Sequence, residues 1–224
     1  MNRTFLIILM VGTAMMIAVI GQHEPTSQLD TMPWEVDQLD NGSLRVFDLT
    51  LAKTSIQDAN QIFARFAETK LQVTTDSSGN QTYQLIAIYD ELIIGSLIAQ
   101  IKLNYQIETE ELRKIYLSLN KDSSDKESSE GLINNITLYP VSKEIEIEHL
   151  NKPVSSITYI PSVDYGEDTI RQNFGPAAEE KQLNDDLQLW FYPEMGLKIY
   201  ISQSKPDEFV YAPQIKQKTP QSQP

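Results

Sequence analysis

The chain has 224 residues, 18 basic and 31 acidic, for a formal net charge of −13, and it contains no cysteine. So acidic a surface repels nucleic acid and anionic lipid, which argues against DNA, RNA or headgroup binding. Without cysteine there is no disulfide framework, no thiol nucleophile and no lipid-bearing cysteine, a profile that fits a bacterial envelope better than a secreted eukaryotic domain.

Residues 1–21 stand apart from the rest. Arg3 is their one charge, and the apolar run Phe5–Ile20 is long for a signal-peptide core and short for a spanning helix. Val19 and Gly21 suit the small-residue positions of a cleavage site before Gln22; the alternative is an uncleaved inner-membrane anchor. Both readings place the remainder outside the cytoplasm, periplasmic or exported. Losing this segment removes only Arg3 from the charge count and takes the net charge to −14. Residues 22–43 are polar, with Pro25 and Pro33, and read as an irregular arm with Trp34 tucked onto the domain.

A first unit is expected over residues 44–120. Leu44–Leu51 alternates as a strand. Thr54 or Ser55 then caps a helix running through about Ala67, with an apolar stripe of Ile56, Ala59, Ile62, Phe63 and Phe66. Leu71–Thr75 and Thr82–Tyr89 form a hairpin across Asp76-Ser77-Ser78-Gly79-Asn80, and Leu97–Tyr105 follows as a strand. Leu112–Leu119 is open to either structure by length, and its alternation favours a strand.

Residues 121–131, rich in Ser, Asp, Glu and Lys, read as a flexible linker and the domain boundary. The second unit then occupies residues 132–212, with strands at Ile133–Leu138, Glu144–Glu148 and Val154–Ile160. Asp164 is placed to N-cap a helix, with Glu167 completing a capping-box variant. Ile170 and Phe174 share a face of that helix, and Gly175-Pro176 ends it. Leu187–Tyr192 and Leu197–Ser202 alternate as two strands joined by Pro193-Glu194-Met195-Gly196. Phe209–Tyr211 is expected as a last edge strand, and residues 213–224, Gln- and Pro-rich, as a disordered tail.

The two units match one another. With Phe66 set on Phe174, Ile62 falls on Ile170; Leu85 and Tyr89 parallel Leu187 and Tyr192, and Gly95-Ser96-Leu97 parallels Gly196-Leu197. This repetition predicts an α+β fold of two tandem helix-on-antiparallel-sheet units. The run Phe174-Gly175-Pro176, then a strand ending Trp190-Phe191-Tyr192-Pro193, then a glycine-led return strand resembles the small SmpA/OmlA (BamE-type) envelope lipoproteins. Two such units in tandem resemble the β-lactamase inhibitor protein fold. The resemblance covers Ser162–Ile201 and, loosely, Leu51–Leu103. It implies a non-enzymatic protein that binds other envelope proteins through its sheet. The chain departs from the lipoproteins in lacking the lipidated cysteine and in carrying two units, which puts a role in outer-membrane protein assembly in doubt.

Candidate chemistry is sparse. His23 lies in the arm; His149 lies in a run with Glu146 and Glu148, where a histidine among carboxylates can serve as base or metal ligand. Neither has partners at a recognised catalytic or metal-ligating spacing, so no metal and no cofactor is expected. No G-x-S-x-G elbow is present, and Asp185-Asp186 fits no calcium loop. The aromatic set is the stronger lead. If Leu187, Leu189 and Phe191 face the helix, then Trp190 and Tyr192 point to the other side of the sheet, where Tyr200 joins them as a partner-binding surface. The competing reading makes Trp190 a second small core. The expected function is therefore a non-enzymatic envelope protein that binds a protein partner. The alternatives are a hydrolase using His149 and a small-ligand binder with a cleft between the two units.

Overall fold

The computed structural model describes residues 28–40, 42–119, 127–132 and 134–213. The described residues form an 11-stranded sheet and a small 3-stranded one. The arm contributes β1 (Gln28–Leu29), and the small sheet is β2 (Asp37–Gln38), β3 (Leu44–Val46) and β4 (Leu49–Thr50). After α1 (Ile56–Ile62) come β5 (Glu68–Thr75), β6 (Gln81–Ile94) and β7 (Leu97–Tyr105), then α2 (Thr109–Ser118). Next follow β8 (Glu127–Glu130), β9 (Asn135–Pro140), α3 (Lys143–His149) and β10 (Val154–Pro161). The chain closes with α4 (Glu167–Phe174), β11 (Glu179–Gln182), β12 (Leu187–Tyr192), β13 (Leu197–Ser202) and β14 (Glu208–Tyr211).

The expectation of two tandem helix-on-sheet units is overturned. The large sheet runs β11-β12-β13-β14-β10-β7-β6-β5-β9-β8, with β1 added parallel to the end of β6. β10 pairs along its length with β7, from Ile157↔Leu103 to Pro161↔Ala99. Backbone hydrogen bonds therefore cross the place where the two units were expected to part. The residue match fails with it: Phe66 is 84% exposed, while Phe63 is buried with its ring 4.8 Å from Tyr89. Ser55 caps α1 in a full capping box with Asp58, as expected, but the helix stops at Ile62 because Ala64 turns left-handed (φ 47).

Two further differences share one cause: period-2 alternation over a short stretch does not separate strand from helix when tertiary burial can choose either face. Leu112–Leu119 and Glu144–Glu148 belong to helices α2 and α3 rather than to strands. Leu44–Leu51 is two short strands, folded back at Phe47 and Asp48 (φ 53 and 60). A bulky residue in that left-handed region is costly. Here the Phe47 ring is fully buried, 5.3 Å from Tyr159 and 5.9 Å from Tyr211, and that burial offsets the strain. Asp164 does not cap α4; Gly166 holds the N-cap position, and the Asp164 carboxylate accepts from the Asp207 amide at 3.3 Å. Phe209–Tyr211 is no edge: β14 lies between β13 and β10. Glu127–Glu130, expected within the linker, is an edge strand on β9.

Several local signals hold. Gly175 (φ 78) ends α4 before Pro176, and Gly196 takes the left-handed turn (φ 56), where a Cβ would collide with the Ala212 carbonyl. Asp76 organises the β5–β6 turn by accepting from the amides of Ser78 and Asn80, each at 2.8 Å. Trp34 does pack onto the domain, edge-on to Tyr165 and Phe174 at 6.1 and 6.2 Å. The 1–21 segment, the 213–224 tail beyond residue 213 and His23 lie outside the described residues. Among those described, no helix is long and apolar enough to cross a membrane.

The main core sits on one face of the sheet. Strand residues Leu71, Val73, Leu85, Ala87, Tyr89, Ile101, Leu103, Ile157, Tyr159, Ile199 and Phe209 point into it. The helices, the small sheet and the arm cover them; Ile56 and Ala59 of α1, Leu112 and Ile115 of α2, Ile170 and Phe174 of α4 are buried there. The opposite face carries no helix among the described residues.

Candidate functional site

The uncovered face is curled. From β14 to β9 the strand order crosses five spacings, about 24 Å in a flat sheet. Yet the Lys205 ammonium, in the β13–β14 loop, donates to the Gly131 carbonyl beside β9 at 2.9 Å. Tyr200 of β13 and Thr74 of β5 line one small cavity. The bulge at Asp90 and Glu91 (Glu91 φ 54) adds to the bend, since an extra residue in one strand sharpens its local twist. Arg65 holds the bulge by donating to the Asp90 carbonyl.

Curling leaves a cleft of about 730 Å³ on this face. Strand parity sets its lining. Ile98, Gln100 and Lys102 alternate out of β7 on the side opposite Ala99, Ile101 and Leu103. Ile160 lies across from Gln100, and Ile136 and Leu138 of β9 line the cleft as well. Glu208 of β14 shares the floor, where burial pushes its carboxyl up against the pull of Lys102 and Lys205. Next to the cleft, Lys70 is buried and ties β8 to β5, at 2.9 Å from Glu127 and 3.3 Å from Glu68. Burial alone would lower its pKa; the two carboxylates outweigh that and raise it. The cleft is of the size that small-molecule sites occupy.

Trp190 and Tyr192 are not on this face. Register pairs Trp190 with Ile199 and Tyr192 with Leu197, both core residues, so the assignment of faces in β12 is the reverse of that expected. Leu187, Leu189 and Phe191 take the other side. Trp190 is 0% exposed, with the Arg171 guanidinium 4.1 Å above its ring and Arg171 itself clamped by Glu180 at 2.6 and 3.0 Å. Such a residue packs; it cannot offer contact area to a partner of the folded chain. Tyr192 is also buried, its ring 5.9 Å from Phe174 and its hydroxyl donating to the Gly175 carbonyl at 3.2 Å. Tyr200 is half-buried on the uncovered face, paired with Glu208. Of the three aromatic candidates, the structure keeps Tyr200 on the uncovered face, in the small cavity beside the cleft, and moves the other two into the core. The cleft itself was not foreseen. Its signal in the sequence was faint: Gln100, Lys102 and Asn104 interrupt an otherwise apolar strand, on one parity.

His149 is 2% exposed, and both ring nitrogens are engaged. Nδ1 lies 2.6 Å from the Ile145 carbonyl and Nε2 3.1 Å from Glu111 Oε1. The second Glu111 oxygen accepts from Lys152 at 3.2 Å. Burial raises the Glu111 pKa, but Lys152 and His149 outweigh it and hold the carboxyl below its usual value. The trio clamps α3 to α2. Glu146 is engaged by Lys143, not by His149. Among the described residues no group of His, Asp and Glu has the arrangement to hold a metal ion.

No family model, no curated protein and no solved structure matches the chain.

Proposed function

We propose that this chain is a non-enzymatic binding protein of the bacterial envelope, working outside the cytoplasm, and that the cleft on the uncovered sheet face is its binding site. The observation that carries the reading is the cleft itself: a concavity of about 730 Å³ walled by isoleucine and leucine, with a few charged groups on its floor. Apolar walls supply affinity and sparse polar groups supply orientation, which is how ligand sites are usually built. The placement outside the cytoplasm rests on the apolar run Phe5–Ile20 near the N-terminus. A hydrolase reading finds less support, because His149 is enclosed and has both nitrogens occupied.

The test is photocrosslinking in intact cells from a photoreactive residue at Gln100, on the cleft floor, with the same residue at exposed Gln57 of α1 as the control. A specific adduct at Gln100 that is absent at the control supports the cleft as the binding site. Equal or absent labelling at both positions, with the variants folded, overturns it.

A further inference from the structure

The cleft's lining points to a class of ligand, an inference that rests on the binding reading above. We propose that the cleft holds a single-chain amphiphile with a carboxylate end, its chain lying along Ile98 and Ile160 and its carboxylate seated on Lys102.

Lys102 stands between Ile88 and Thr158 in neighbouring strands. Its ammonium forms no hydrogen bond or ion pair among the described residues; Glu208 acts on it only through space. Lys102 is half-buried beside apolar walls with no acceptor among the described residues, and a charged hydrogen bond there is worth more than in water. Lys102 and Lys205 both act on Glu208, so these three groups leave about one positive charge, while Asp90 and Glu91 stand exposed to solvent at the rim. A carboxylate balances one charge, whereas a phosphate, with nearly two, exceeds it.

The chain direction follows from β7. From Lys102 to Ile98 the strand spans four residues, about 13 Å, and the cleft follows it. At the far end the apolar surface breaks into solvent: Ile98 is 52% exposed and Val163, next to the Ser162 amide that donates to the Ile98 carbonyl, is 61% exposed. Neighbouring exposed aliphatics at the lip of a cleft mark an interaction site better than scattered ones do. The N-terminal arm joins the fold at this same end, since Gln28 pairs with Ile93 and Ile93 with Ile98.

The full chain, carried in polymer-bounded membrane discs without detergent, is titrated with dansylundecanoic acid, and the bound probe is displaced with dodecanoate or dodecanol. The expected results are a blue-shifted, saturable probe signal and displacement by dodecanoate at about tenfold lower concentration than by dodecanol. Lys102→Met should weaken probe binding about tenfold and erase the difference between acid and alcohol. Glu208→Gln should tighten it several-fold by removing a like charge. Equal displacement by acid and alcohol in the unaltered chain overturns the proposal, and does so without any variant. Unchanged affinity in a Lys102→Met chain with unchanged melting overturns it too. A protein adduct from Gln100 with no probe binding removes the amphiphile and keeps the binding reading; neither adduct nor probe binding removes both.

Discussion

The two faces of the large sheet are made from the same strands and have opposite fates. On the covered face Tyr89, Tyr159, Phe209 and Trp190 meet helices and the arm and lose all contact with water. On the other face the alternate residues of those strands, such as Gln100, Lys102, Ile160 and Glu208, line an open cleft. Among the described residues only one face carries a continuous aromatic layer, running through Trp34, Phe47, Tyr159, Phe174 and Phe209. That layer spends its apolar area on folding. The cleft leaves its area unspent, and unspent apolar area beside charge is where a ligand gains affinity.

The contrast breaks most directly at Trp190. Trp190→Ala should cost about 3–5 kcal/mol, read as a fall in the urea midpoint at unchanged slope. A loss below about 1 kcal/mol would place the indole outside the load it is assigned here. His149→Ala tests the second enclosed site. Leaving the Ile145 carbonyl and the Glu111 carboxylate without their ring partner should cost about 1–3 kcal/mol, measured by thermal unfolding. Any enzymatic turnover abolished by this change at full folded population would instead revive a catalytic role.

Asp207, at the edge of the cleft, sharpens the comparison through pH. Burial pushes its carboxyl up to about 6, with Asp164 adding to the rise and the Ser202 amide opposing it. A raised acid pKa means the folded state binds a proton that the unfolded chain has released. Stability from this group is therefore full below pH 4, falls as pH rises from about 4 to about 6, and stays low above that. Asp207→Asn should match the unaltered chain at pH 4 and exceed it at pH 7.5 by on the order of 1 kcal/mol, allowing for solvent screening. Identical melting curves at both pH values would show that the carboxyl is not strained at neutral pH. At the small end, Gln100→Ala on the cleft floor should shift stability by less than about 0.5 kcal/mol, while Trp190→Ala, on the covered face, does not spare it.

Much of the local structure was legible in the residues. Ser55 with Asp58, Gly175-Pro176, Asp76 with its turn, and the Pro193–Gly196 link each act through atoms a few residues away, so the sequence neighbourhood holds the whole cause. The strands Leu97–Tyr105 and Val154–Pro161 were readable for the same reason. The site was not. In β12 both parities are apolar, so alternation marks two faces without saying which is inside. Trp190 was assigned outward by that ambiguity, and its pairing with Ile199 reverses the choice. His149 looked free among carboxylates because its partner, Glu111, is 38 residues away in sequence.

By itself, then, the sequence determined the Ser55 cap that starts one helix, the Gly175-Pro176 stop that ends another, where the chain turns, and that its surface is acidic. These depend on local hydrogen bonding, allowed dihedrals and composition. The tertiary structure alone decided that β14 enters between β13 and β10, that β7 and β10 join the halves into one sheet, and which parity of each strand is covered. Those outcomes depend on backbone pairs and packed side chains brought together from distant parts of the chain. No short window of sequence contains both partners.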